Sequence, residues 1–398
     1  MPAVSQSKQV KYGEYSHANE VKLVRSGKEY FSLLQQLIDS AEHRIHLQVY
    51  IFSADETGKQ VTEALIRAVK RGVKVYVMAD DYASDSLPRE YVQYMRESGI
   101  WFRRFEPFFK NRNFYFGRRL HHKVVVVDAY CALVGGLNIA DRYNDLPDYP
   151  AWLDMALYVE GDIATELEQV CCDVWNRKYE KKKRIAAYKN TKKLSLTELE
   201  EQVSVRVRIN DWLRRKNQVW RSYADMFDHA TSDIVIVCSY FLPARVYRAK
   251  LAKAVKRGVN VKLVLAGKSD VMIAKHAERF LYDWLLRNKI EVYEYEKNIL
   301  HAKCAVQDGK YMSIGSYNVN NISALVSVEL NLDVRNKPFV SGVQETIESI
   351  IKEDCTQITY ENHRATRNLF KIFWQRCAYE LVKLMFFAVT FYYKQERD

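Results

Sequence analysis

The sequence predicts an α/β fold built twice: two units of ordinary domain size, each a mostly parallel or mixed sheet covered by helices, related by a pseudo-twofold axis with the active site at their seam. One observation is a five-point pattern that occurs twice, in HHKVVVVDAYCALVGGLN (residues 121–138) and HAKCAVQDGKYMSIGSYN (residues 301–318). His121, Lys123, Asp128, Gly135 and Asn138 match His301, Lys303, Asp308, Gly315 and Asn318 at a constant offset. The other is a repeat lying before each motif: AVKRGVKVYVMA (residues 68–79) returns as AVKRGVNVKLVLA from Ala254. Both copies read as a helix end, a glycine stop and a buried strand.

Taken in order, residues 1–20 are polar and are expected to form a flexible N-terminus. HRIHLQVYIF from His43 and DIVIVCSYFLP from Asp233 are corresponding strands, so each half alternates strand, helix, strand, helix before its motif strand. This places one domain over residues 21–180 and a second over 206–362, and 398 residues suffice for two cores. Residues 181–205 belong to a lysine-rich stretch that reads as a solvated helix and linker. A separate tail follows over residues 363–398.

The motif strands VVVV and CAV alternate side chains between two faces of a sheet. His and Lys, two apart, share a face. An imidazole there can serve as nucleophile or acid toward a phosphodiester, while the ammonium supplies fixed positive charge to its non-bridging oxygens. By the same parity Asp128 and Asp308 point to the opposite face and brace the motif from behind, and His122 is structural. The carboxylates that orient the imidazoles must come from elsewhere. Asp154 in AWLDMALYVEG and Glu329 in SVELNLDV occupy matching positions in the two halves, and such partners select a tautomer and stabilise imidazolium.

Lys and Arg number 61 against 49 Asp and Glu, a formal net charge of +12 that calls for an acidic partner, nucleic acid or an anionic membrane. The seven cysteines are odd in number and have no CxxC spacing, which suits reduced thiols in a reducing compartment. No cluster of His, Cys and carboxylate has metal-ligand spacing, so no metal is expected. The opening residues have no apolar core of a signal peptide, and a cytoplasmic location is expected. In EPFFKNRNFYFGRRLHHK the rings of Phe108, Phe109, Phe114, Tyr115 and Phe116 are mixed with Lys110, Arg112, Arg118 and Arg119. Such a segment can enter a membrane surface, stack nucleic-acid bases, or pack on the core.

The tail favours the membrane. Lys371, Gln375, Arg376, Tyr379, Glu380 and Lys383 recur at helical steps, leaving Phe370, Phe373, Trp374, Cys377, Leu381 and Val382 on the other side. This amphipathic helix runs into LMFFAVTFYY (residues 384–393), too short to span a bilayer. It is expected either to lie in the interface or to dock on the core.

The paired His-Lys-Asp motifs are the signature of the phospholipase D superfamily. Within it the chain resembles bacterial cardiolipin synthases, in the short form without N-terminal transmembrane helices. The resemblance spans about residues 20 to 360 and rests on the segment from Val21 to Phe52, GGLNIADRY, YFLP, KSDVMIAKHAERFLYDWLL and GSYNVNNISALVSVELNL. It implies a phosphatidyl transfer without cofactor or metal: two phosphatidylglycerols give cardiolipin and glycerol through a phosphatidyl-histidine intermediate, with phosphatidylethanolamine as a possible donor. His121 is implied as nucleophile and His301 as acid/base, with Asp154 and Glu329 as the carboxylates that hydrogen-bond the catalytic imidazoles. Lys123, Lys303, Asn138, Ser316 and Asn318 would hold the phosphoryl oxygens. A hydrolytic phospholipase D would share every one of these residues, and a nuclease of the superfamily would explain the charge but not the apolar tail.

Overall fold

The computed structural model describes residues 13–106, 118–147, 149–177, 183–190, 203–211, 214–365 and 368–395. The first half contains β1 (Asn19–Arg25), α1 (Lys28–Ser40), β2 (Arg44–Val49), α2 (Glu56–Lys70), β3 (Lys74–Asp80), α3 (Arg89–Glu97) and β4 (Trp101–Phe105). The motif hairpin β5 (Lys123–Val127) and β6 (Cys131–Gly135) follows, then β7 (Met155–Gly161) and α4 (Asp162–Trp175). The second half opens with β8 (Ser204–Asp211), β9 (Lys216–Asn217), α5 (Gln218–His229), β10 (Asp233–Cys238), α6 (Arg245–Lys256) and β11 (Asn260–Lys268). Next come α7 (Met272–Phe280), α8 (Tyr282–Arg287), β12 (Glu291–Ile299), and the second motif hairpin β13 (Lys303–Gln307) and β14 (Tyr311–Gly315). The chain ends with α9 (Asn321–Leu325), β15 (Glu329–Arg335), α10 (Lys337–Asp354), β16 (Cys355–Ile358), α11 (Tyr360–Ala365) and α12 (Leu369–Gln395).

These strands form two mixed sheets, one seven-stranded in the order β1-β7-β6-β5-β2-β3-β4 and one nine-stranded in the order β16-β12-β11-β10-β13-β14-β15-β8-β9. Both sheets share a pattern: three parallel strands (β2-β3-β4, β10-β11-β12), then an antiparallel run that begins at the motif strand. The duplicated α/β architecture expected from the repeats is therefore present. The repeated glycines perform the expected stop, since Gly72 (φ 93°) and Gly258 (φ 92°) end α2 and α6 in a left-handed conformation that costs a glycine nothing.

Helices α1 to α3 cover one face of the first sheet and α5, α6 and α8 one face of the second. The remaining faces are turned toward each other. Val124, Val126, Val134 and Leu157 of one sheet share a single core with Cys304, Val306, Ile314 and Leu332 of the other, flanked by residues of α4 and α10. The all-apolar motif strands follow from this arrangement, because β5 is buried on both of its faces.

Several expectations change. The N-terminal segment is tied down from Ser16, which pairs with Val205, and the buried Asn19 donates to Val203 O and accepts from the Ile163 amide. Most of the linker lies outside the described residues. Its part 183–190 has no α-helix and runs beside α4, where Asn176 bonds Ile185 and Glu168 accepts the Tyr188 amide. Phe108, Phe109, Lys110, Arg112, Phe114, Tyr115 and Phe116 also lie outside the described residues. Arg118 is turned inward, buried in ion pairs with Glu106 and Asp211.

The tail helix departs from its expected orientation. Gln375, Ala378 and Val382 are buried, and Tyr379 and Phe386 are half-buried, so α12 docks on α7 and its surroundings along that strip. The docked strip thus takes Gln375 and Tyr379 from the expected polar side and Val382 from the expected apolar side. Outward stand Phe370, Phe373, Leu384 and Phe387, between 61% and 75% exposed. Docking and an exposed apolar side coexist in one helix. No helix among the described residues is long and apolar enough to cross a membrane.

Candidate active site

Backbone contacts between the halves build the site. Just before β5, Leu120 bridges Val328, whose carbonyl accepts the amides of His121 and His122, both at 3.0 Å. Just before β13, Leu153 bridges Leu300 in the same way, and its carbonyl accepts the amides of His301 (2.7 Å) and Ala302 (3.0 Å). The residues following Val328 and Leu153 are Glu329 and Asp154. Each carboxylate therefore meets the histidine of the opposite half: His121 Nδ1 lies 2.9 Å from Glu329 Oε2, and His301 Nδ1 lies 2.6 Å from Asp154 Oδ2. With Nδ1 engaged, Nε2 of each ring is left for chemistry.

Lys123 donates to the carbonyl of His121 at 2.5 Å, and Lys303 donates to the carbonyl of His301 and to Ser239 Oγ at 3.0 Å. Both lysines are buried and act on each other electrostatically. Burial, then the charge of Lys303, lowers Lys123 to about 7, and Lys303 is also lowered, by burial first. Burial pushes the Asp154 carboxyl up to about 7 against the pull of Lys303, and burial and Lys303 hold His301 well below its usual range. The short contact between the two keeps one proton within the pair. His121 is lowered by burial, an effect opposed by Glu329. A pair of buried, destabilised cations is suited to an anion, which restores both charges.

Asp128 and Asp308 lie behind the motif strands. Each has positive φ (52°) at the turn after its strand. Asp128 accepts the amides of Glu42, His43 and Arg44 at the start of β2, and Asp308 accepts those of Thr231, Ser232 and Asp233 at the start of β10. Their geometry is that of positioning residues. His122 is buried on the core side, bonded to Gln48 Oε1 at 2.9 Å, and burial lowers it to about 3.

Ser316 is not placed to hold a phosphate. Its hydroxyl donates to Glu329 Oε2 at 2.5 Å and accepts the Leu330 amide, so it fixes the carboxylate. The matching residue Gly136 leaves room for Asp154, since a Cβ there would stand 2.3 Å from Asp154 Oδ1. A serine supporting a glutamate in one half thus replaces a glycine touching an aspartate in the other. Asn138 and Asn318 both line the cavity. Asn138 is engaged at both ends, accepting from Ile51 N (3.0 Å) and donating to the Tyr143 hydroxyl (2.8 Å). The Asn318 amide nitrogen has no recorded protein acceptor among the described residues, its oxygen lying 3.8 Å from Cys238 Sγ.

The two imidazoles open into a cavity of about 430 Å³ whose wall also includes Tyr50, Arg119, Arg142, Trp152, Tyr240 and Asp270. Val382, Met385 and Phe386 of α12 close one side. The motifs alone did not point to these residues, although Tyr50 and Tyr240 occupy matching places in the repeated QVYIF and CSYFLP segments. The His121 ring meets Tyr50 edge-on at 5.0 Å, and His301 meets Tyr143 at 5.2 Å.

A family model described as cardiolipin synthase, PLD-like domain, matches residues 34–167 and 223–351. The chain belongs to this cardiolipin synthase family. Cardiolipin synthase B of Escherichia coli (strain K12) is 31% identical over 356 residues, covering 86% of this chain and 83% of that protein. The cardiolipin synthase of Halalkalibacterium halodurans is 28% identical over 367 residues, 91% of this chain and 72% of that one. In fold, the crystal structure of phosphatidylserine synthase from Haemophilus influenzae Rd KW20 is similar, with a TM-score of 0.71, 15% identity and 96% coverage of both chains. The two stretches matched by the cardiolipin synthase model each contain one motif and its carboxylate.

Elsewhere, His46, Glu168 and Cys172 form a group in the core with ligand atoms close enough for a metal, contrary to the expectation that no such cluster exists. Sequence spacing could not reveal it, because β2 and α4 meet only in the fold. The group is already occupied by a cation, as Arg44 Nη1 lies 2.9 Å from Glu168, and burial raises the Cys172 thiol, which opposes the thiolate a metal needs.

Proposed function

We propose that this chain is a cardiolipin synthase, a phosphatidyltransferase that joins two phosphatidylglycerols into cardiolipin and releases glycerol. The observation that carries the reading is the crossed pair of imidazoles, each oriented by the other half's carboxylate, above two buried lysines in a chain of this family. His121 Nε2 attacks the phosphorus while His301 protonates the departing glycerol oxygen, which leaves a phosphatidyl group on His121. A hydroxyl of the second lipid then gives its proton to His301 as its oxygen displaces His121. Lys123 and Lys303 neutralise the non-bridging oxygens and Asn318 donates to them. One phosphodiester replaces another, so no nucleotide is needed.

The substrates require contact with a membrane surface. The outward rings of Phe370, Phe373 and Phe387, with the exposed Lys371, Arg376 and Lys383, suit α12 to an anionic interface, apolar groups entering the acyl boundary beside cations at the head groups. Seven unpaired thiols favour the cytoplasmic face. Phosphatidylethanolamine is a second donor compatible with the same chemistry. Purified protein incubated with acyl-labelled phosphatidylglycerol in micelles is expected to yield cardiolipin and glycerol by mass spectrometry. Phosphatidic acid as the sole product would make it a hydrolase instead.

A further inference from the structure

Cardiolipin carries two phosphates joined by one glycerol, so a site that makes it must receive a second lipid whose own phosphodiester does not react. Lys123 and Lys303 are committed to the reacting phosphate, and the remaining charged side chains of the cavity divide by sign. Arg119 faces the His121 side, 3.8 Å from Asp80. Arg142 is exposed, its guanidinium over the rings of Trp152 (5.3 Å) and Tyr143 (5.7 Å). Those two rings in turn lie 6.1 Å and 5.2 Å from the His301 ring. Arg142 has no carboxylate partner among the described residues. The two rings hold the guanidinium itself at the cavity wall, where its N–H donors are available to an anionic group.

Asp270 is the carboxylate of this wall outside the two histidine pairs. It accepts a hydrogen bond from the Tyr240 hydroxyl and acts electrostatically on His301. A fixed anion in a cavity that admits phosphodiesters is unfavourable toward phosphate, but it suits the hydroxyls of glycerol, which donate to it. Apolar side chains of α12 and α7, including Val382, Phe386 and Ile273, line the same cavity.

We propose that Arg142 and Asp270, with Tyr240, form the subsite for the acceptor lipid on the His301 side: Arg142 binds its phosphodiester, and Asp270 directs its terminal glycerol hydroxyl to His301. This rests on the synthase reading and names where the second substrate binds. In the transfer step the acceptor oxygen forms a bond to phosphorus, the bond from phosphorus to His121 Nε2 breaks, and the hydroxyl proton passes to His301 Nε2. Glycerol released in the first step leaves through the same place, so Asp270 serves both halves of the reaction while Arg142 serves only a phosphate-bearing acceptor.

Two reactions of the full-length protein in phosphatidylglycerol micelles separate these roles: cardiolipin formation, and exchange of labelled free glycerol into phosphatidylglycerol, whose acceptor has no phosphate. Arg142→Ala is expected to lower cardiolipin formation relative to exchange at least tenfold, about 1.4 kcal/mol, and Arg142→Lys to recover part of it. Asp270→Asn is expected to raise the glycerol concentration for half-maximal exchange at least tenfold. Parallel loss of both reactions in Arg142→Ala, or an unchanged ratio while the unaltered protein makes cardiolipin, overturns the subsite alone. If the unaltered protein exchanges glycerol but makes no cardiolipin, the synthase reading fails and the subsite with it.

Discussion

Burial makes the charged forms of Lys123 and Lys303 costly, and this cost sets the pH behaviour. A lysine lowered to about 7 is cationic below that value and neutral above it, so the free protein loses its phosphate-binding charge as pH rises through about 7. A bound phosphodiester raises the lysine again. We expect kcat/KM on phosphatidylglycerol to fall above about pH 7 while kcat, which reports on the complex, stays level to higher pH. A kcat/KM that is flat from about pH 6 to about pH 9 would contradict this. Asp154→Asn and Glu329→Gln keep the shape but lose the tautomer control, and each is expected to lower kcat by about 10²- to 10⁴-fold. The histidines and lysines were legible in the sequence because the motif repeats and strand parity puts them on one face. The crossing of the carboxylates was not, since parity describes one strand and Glu329 reaches His121 only through the Leu120 to Val328 bridge. The role of the Ser316 hydroxyl was not legible for the same reason: its partner is Glu329, thirteen residues on.

At the scale of elements, the motif aspartates tie each motif turn to the start of the antiparallel neighbouring strand, β2 or β10. Asp308 is held below the usual carboxylate range by amide and hydroxyl donors at the start of β10, with burial acting in the opposite direction. A depressed value means stability present above the unfolded pKa near 3.9 and lost as pH falls below it. Asp308→Ala is expected to cost about 1–3 kcal/mol and to lower the melting temperature, while the rate per folded molecule stays within about tenfold. The tail helix requires two kinds of substitution. Exchanging Phe373 and Leu384 for serine should release the protein from anionic vesicles without a change in melting temperature, because these side chains are 64% and 62% exposed. Val382→Asp should lower the melting temperature, because that residue is buried against α7. Co-sedimentation and thermal melting read both, and the opposite pattern would assign the faces the other way. Helical spacing revealed that α12 has two faces but not which one docks. Gln375, polar and buried, lies in the docked strip beside residues of α7 and α11, which helical spacing within one helix does not show.

In the whole molecule the duplication is a division of labour. Each half provides one imidazole, one lysine and the carboxylate that orients the other half's imidazole, and a core shared by both sheets holds the halves in register. His121→Ala and His301→Ala should each abolish turnover, with the double substitution no worse than either, because groups acting as one unit are not additive. The two-sheet plan was legible from the repeats at Ala68 and Ala254. The face-to-face packing of the sheets was not, since buried strands read alike whether helices or another sheet cover them. The central claim is that two histidines form a single site through which one phosphatidyl group passes at a time. Its most direct test is the first turnover with excess phosphatidylglycerol, rapidly quenched and mapped by peptide mass spectrometry. The expected result is up to one phosphatidyl group per chain, on the peptide containing His121 and absent from His121→Ala. Two groups per chain divided between the His121 and His301 peptides, or glycerol released with no lipid on the protein, would contradict it.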